Sequence, residues 1–175
     1  MVTLLAQVTE AGPSAAGIVE GARIMFSNLP TIILFTPLLG MLILAMFPSS
    51  RVREIRNFTL AMTCIVAIEI VVLMVQFRQF PMQHFIVKLS WFSTIGASYF
   101  VGVDGISLAL LLLTGIVFVS AALGSWSIKD RVKEYSILFL LLECSIIGVF
   151  IALDYFLFFI AWELMLVPMY FLIGI

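Results

Sequence analysis

Residues 135–175 read YSILFLLLECSIIGVFIALDYFLFFIAWELMLVPMYFLIGI, and this stretch decides the fold. It holds two long apolar runs, Tyr135–Leu153 and Tyr155 to the end, broken only at Asp154. Each run is about the length of helix, some 20 residues, that crosses a hydrocarbon core of about 30 Å. In lipid, backbone groups find no water, so only helices and closed barrels span. Barrel strands alternate apolar and polar residues, and these Leu/Ile/Val/Phe runs do not.

Working outward, three more apolar segments appear: Thr31–Phe47, Asn57–Phe77 and Asp104–Trp126. The expected fold is therefore all-α and transmembrane, with about five membrane-spanning helices. The composition agrees, because 63% of the 175 residues are hydrophobic and 11% charged, against a soluble norm of about half and a quarter. A net charge of −1 leaves no basic stripe for phosphate, which argues against a nucleic-acid partner. Cys64 and Cys144 sit inside apolar runs without metal-ligand spacing and read as small core hydrophobes. No glycine loop for phosphate, cysteine cluster for iron and sulfur or histidine pair for haem is present, so no cofactor is expected on this chain and metal ligands are none.

Four regions follow: an outer amino-terminal segment at 1–30, two spans at 31–77, an interfacial hairpin at 78–103, and the third to fifth spans at 104–175. The opening residues lack the basic start and compact apolar run of a cleavable signal. Pro37, seventh in the first span, predicts a kink. Asp104 before Gly105-Ile106-Ser107 predicts a capped helix start. The partial alternation of residues 84–92, with Trp91 and Tyr99 suited to a headgroup belt, predicts an ordered hairpin on the outer side. Gly115, Ser120, Ala121, Ala122 and Gly124 permit close helix contact. Six basic residues (Arg51, Arg53, Arg56, Lys129, Arg131, Lys133) fall in loops on one side and three (Arg23, Arg78, Lys88) on the other. The positive-inside bias then puts the amino terminus outside.

Function rests on acids inside apolar helices: Glu69, Glu143 and Glu163. A charge at a helix centre costs about 2.5–3.5 kcal/mol by insertion scales, and such residues normally face the bundle interior or a water path. Glu143 lies eleven residues before Asp154 and Glu163 nine after it. A tight turn there makes the two helices antiparallel neighbours, so both carboxyls sit about 13–17 Å deep at 1.5 Å per residue, level to within roughly 3 Å. Carboxyls at one depth can pass a proton, and a protonated pair that merely staples two helices fits the spacing equally. Pro168 frees the carbonyl of Leu164 beside Glu163, to orient water or simply to bend the packing. Glu69, alone among Ile65, Val66, Ile68 and Ile70, reads as a structural hydrogen-bonding residue before a transport one. Asp154 reads as a cap at the outer turn or a proton exit, and His84 as a surface residue of the hairpin.

Three runs carry a resemblance: Gly-Val-Asp-Gly-Ile-Ser-Leu at 102–108, Ile-Gly-Val-Phe-Ile-Ala-Leu-Asp-Tyr-Phe-Leu-Phe-Phe at 147–159, and Trp-Glu-Leu-Met-Leu-Val-Pro-Met-Tyr-Phe-Leu-Ile-Gly at 162–174. The chain resembles the M subunit of bacterial complex I, called subunit 4 in mitochondria. The resemblance implies part of an antiporter-like inverted-repeat fold of about fourteen spans, of which roughly the first third is here. It implies that Glu163 is the essential protonatable residue of the fifth helix, with Pro168 following it. Glu143 as a further proton-transfer residue rests on the depth argument, and Asp154, Glu69 and Tyr170 are candidates for support. The resemblance also implies a translocase in which NADH, flavin, iron-sulfur and quinone belong to partner subunits. The partners are other membrane-arm subunits, a chain carrying the missing helices and their lysine, and the lipid bilayer of a bacterial inner membrane or its equivalent. Three rivals remain: a subunit of a multi-subunit sodium/proton antiporter, a non-pumping structural anchor, and a subunit of a hydrogenase or photosynthetic electron-transfer complex.

Overall fold

The computed structural model describes residues 28–78, 85–92 and 97–174. Five helices and one hairpin follow in order: α1 Leu29–Ala45, α2 Val52–Phe77, β1 Val87–Phe92, β2 Ala97–Val101, α3 Gly105–Gly124, α4 Val132–Ile151 and α5 Tyr155–Gly174. Four of the helices, α2 to α5, are long and apolar enough to cross a membrane. The remaining one, α1, is a shorter apolar helix of 17 residues, about 25 Å of rise, and packs against α2 and α4. His84, Pro81, Gly96, Arg23 and the amino-terminal segment through residue 27 lie outside the described residues, as does the side chain of Trp91.

Local chemistry sets the ends. Asp104 accepts from the Ser107 amide at 2.6 Å and caps α3, as the sequence predicts. α2 starts at Val52, five residues ahead of the expected Asn57. Its first turn is polar yet supported there, because Glu54 pairs with Arg51 at 3.1 Å and Arg56 donates to the Ile128 carbonyl. Helix length is thus fixed by end contacts as well as by the apolar run. α1 continues through Pro37. Its last carbonyls are met by Lys133, whose Nζ donates to Ala45 O at 2.8 Å, a common way to satisfy a helix carboxyl end.

The expected hairpin is present as an antiparallel pair with Val87 opposite Val101 and Leu89 opposite Tyr99. It is sewn to the α4–α5 turn: Gly102 N donates to Ile151 O at 2.9 Å and Leu153 N to Phe100 O at 2.8 Å. A Cβ on Gly102 would stand 2.6 Å from Leu153 Cδ1, so a larger residue at this crossing would displace the Leu153 side chain. Beneath the hairpin Phe85, Val101 and Val103 join Leu29, Ile33, Ile70, Leu73, Ile147 and Ile151 in one core cluster. A second cluster, Leu44, Ile55, Val132 and Leu140, fills the opposite, basic end.

α4 is central, touching α1, α2, α3 and α5. Gly148 lets α5 close on it, since a Cβ there would meet Ala161 Cβ at 3.1 Å. In α3, Gly115 faces Ala67 and Ala122 is buried. Ser120, Ala121 and Gly124 are exposed, so only part of the small-residue set serves packing.

Candidate functional site: a layer of acids below the hairpin

The buried face of α4 runs through Phe139, Leu140, Glu143, Cys144, Ile147, Gly148 and Ile151, the three- and four-residue spacing of one helix stripe. Glu143 therefore falls inside this stripe, between a residue of the basic-end cluster (Leu140) and one of the hairpin-end cluster (Ile147). Its relative exposure is 0%. Neither carboxyl oxygen has a hydrogen-bond partner among the described residues. An unsatisfied buried polar group costs about 1–3 kcal/mol, so a purely structural account of Glu143 has to name what repays that.

α1 and α2 converge on the same place. Glu69 Oε1 accepts from Thr36 Oγ1 at 2.9 Å, while Oε2 is buried without a partner. Two residues earlier on α1, Leu34 O accepts from the Cys144 thiol at 3.3 Å. Two positions on α1, 34 and 36, thus hold Glu69 of α2 and the residue next to Glu143 on α4. Glu69 and Glu143 thus stand on packed helices, each eight residues from the hairpin end.

Glu163 occupies the same level on a different face. Glu69 lies eight residues before Phe77, Glu143 eight before Ile151 and Glu163 eight after Tyr155, each counted from the hairpin end of its helix. All three therefore stand about 12 Å from that end at 1.5 Å per residue. α5 buries only Ala161 and Pro168, and Glu163 is exposed among Trp162, Leu164 and Leu166. Five residues separate Glu163 from Pro168, roughly 140° around the helix, which accounts for one facing out while the other packs. The expected level of Glu143 and Glu163 agrees with the helix ends; a direct hydrogen bond between them is absent, since both Glu143 oxygens are unpartnered.

The supporting residues divide. Asp154 caps α5 by accepting from the Phe156 amide at 2.8 Å and ties in the hairpin through Ser98 Oγ at 2.8 Å. These bonds, that from the Ser98 hydroxyl foremost, hold its carboxyl below the usual carboxylate range. Tyr170 is exposed two turns below Glu163, in a cavity of about 650 Å³ lined with Arg131, Glu134 and Phe171, and is not brought to the acid layer. The Glu69–Glu143 neighbourhood is what sequence reasoning missed. The signal was available: the two acids are equally far from helix ends that a hairpin at one side brings together.

A multi-pass α-helical membrane protein with acids at one depth of its helices is the class this fold defines. No family model matches the sequence. Its homologues are chain 4, or subunit M, of quinone oxidoreductases. NADH-ubiquinone oxidoreductase chain 4 of Chondrus crispus is 39% identical over 142 residues, 80% of this chain and 29% of the relative. NAD(P)H-quinone oxidoreductase chain 4, chloroplastic, of Chara vulgaris is 36% identical over 86% of this chain and 31% of its own length. NADH-quinone oxidoreductase subunit M of Rhodobacter capsulatus is 36% identical over 85% and 30%. The chain spans about 30% of the length of these relatives.

Proposed function

We propose that this chain is part of the membrane-arm, proton-translocating M-type subunit of an NADH:quinone oxidoreductase, and that it supplies one proton half-channel. The observation that carries the proposal is the common depth of Glu143 and Glu163 on the antiparallel neighbours α4 and α5. The names of the relatives support the same reading. Glu163 is the central protonatable residue, Glu143 the relay behind it and Pro168 the break that frees the Leu164 carbonyl beside Glu163.

An exposed glutamate midway along an apolar helix costs about 2.5–3.5 kcal/mol against lipid. The Glu163 face of α5 is therefore covered by protein in the whole subunit, and we assign that cover to helices carrying a cationic partner. NADH, flavin, iron-sulfur centres and quinone belong to partner subunits, which change the field at Glu163 when quinone is reduced. The six basic residues at one end set the amino terminus on the outside of a bacterial inner membrane or an equivalent energy-converting membrane.

Glu163→Gln in the assembled complex tests this. The expected result is quinone reduction with proton translocation reduced at least tenfold. Unchanged translocation overturns the proposal.

A further inference from the structure

We infer that Glu69, Glu143 and Thr36 form a second proton-binding site, distinct from Glu163, in which two carboxyls between α1, α2 and α4 share one exchangeable proton. The inference rests on the proton-translocation reading for its purpose, though not for its geometry.

Three observations carry it. Glu143 is wholly buried with both oxygens unpartnered, and Glu69 adds a third unpartnered carboxyl oxygen. Both acids lie eight residues from the hairpin end of packed helices, and Glu69 itself and Cys144, the residue next to Glu143, meet the same turn of α1. Finally, Thr36 Oγ1 stands 2.9 Å from Ile32 O and 2.9 Å from Glu69 Oε1. A hydroxyl has one hydrogen to donate and can also accept. When Glu69 is ionised, Thr36 donates to it. When Glu69 carries the proton, Glu69 donates to Thr36, which turns its own hydrogen to Ile32 O. Both protonation states are thus satisfied with no movement of heavy atoms, which is what an exchange site needs and a static staple does not.

Among the described residues the pair has no counter-ion. α1 and α3 contain no ionisable side chain. On α2 the remaining ionisable groups are Cys64 and the Arg53, Glu54 and Arg56 set at the far end. On α4 the adjacent Cys144 donates to Leu34 O, Glu134, Lys133 and Tyr135 sit at the basic end, and on α5 Glu163 is exposed. From the hairpin, Tyr99 donates to Thr31. Two like charges held dry beside each other are strongly disfavoured, so the pair carries one proton. A proton that leaves one carboxyl is taken by the other, and the charge of the pair changes only when a third group exchanges with it.

The test is infrared difference spectroscopy of the purified, assembled complex in H2O and D2O, with proton translocation measured in parallel. The expected wild-type result is a protonated-carboxyl band that shifts in D2O within minutes. It should move in Glu143→Gln, in Glu69→Gln and also in Thr36→Val, which keeps the side-chain shape and removes only the hydroxyl that meets Glu69 and Ile32 O. Glu69→Gln should lower translocation severalfold, and Glu69→Asp should restore part of it. A band that ignores both Glu69→Gln and Thr36→Val, or resists D2O for hours, overturns the inference. If Glu143→Gln and Glu163→Gln impair translocation but Glu69→Gln does not, the second site falls while the pump stands. If the band behaves as expected but none of these variants alters translocation, the site stands and the pump reading falls. Should the Gln variants fail to assemble, Thr36→Val and wild-type exchange decide alone.

Discussion

α4 and α5 are equally long, equally apolar and antiparallel, each with a glutamate at the same depth, yet they treat it in opposite ways. α4 buries ten of its residues, Glu143 among them, against neighbours within the chain. α5 buries two, and its glutamate is exposed. The surroundings that govern Glu143 thus lie within this chain, whereas those that govern Glu163 are supplied by whatever covers α5. Two acids at one level can therefore answer to different parts of an assembly.

That contrast can be broken most forcefully at Glu163. In a translocon insertion assay of this chain alone, Glu163→Leu should favour insertion of α5 by about 2.5–3.5 kcal/mol, with no such gain in the assembled complex; an equal gain in both means that lipid covers the face. The next largest effect is expected at Glu143. Removing an unsatisfied buried group should make Glu143→Leu more stable in detergent by about 1–3 kcal/mol, read as a higher midpoint of thermal unfolding, and a loss of stability would show that its oxygens have partners.

Smaller effects sharpen the comparison at the hairpin end that α4 and α5 share. Asp104→Ala removes the cap on α3 and should cost about 1 kcal/mol, measured by chemical denaturation. Asp154 provides a pH test of the seam. Its folded carboxyl lies below the ordinary range, so its contribution is complete above about pH 3.9 and is lost as pH falls through the lower folded value. Hydrogen exchange at the Ser98 amide, which donates to Asp154 at 3.2 Å, should be flat from pH 7 to 5 after correction for intrinsic rates, and should accelerate only below the ordinary carboxylate value.

Much of this architecture was legible because length and capping speak clearly in a membrane protein. The apolar runs placed five helices, Asp104 announced a start, and the broken alternation of residues 84–92 announced the hairpin. What stayed hidden was which face of each helix turns inward. In water an apolar stripe marks the core, but lipid and core ask for the same residues, so Trp162 and Leu166 on the outside of α5 read much like Leu140 and Ile147 inside α4. The acids alone break this degeneracy. The depth argument joined Glu143 to Glu163 because a tight turn links their helices; it passed over Glu69, which reaches the layer only because the hairpin folds back over α4.

The stitching of that hairpin to the α4–α5 turn also sets a timetable for synthesis. Val101 bridges Ala152, a residue made about fifty positions later, roughly 3–10 s at 5–20 residues per second. Until then the outer edge of β2 is an open strand at the membrane surface, with donors and acceptors waiting. An insertion factor that shields this edge, or a delay between α3 and α4, should therefore decide how much newly made chain reaches the sewn state.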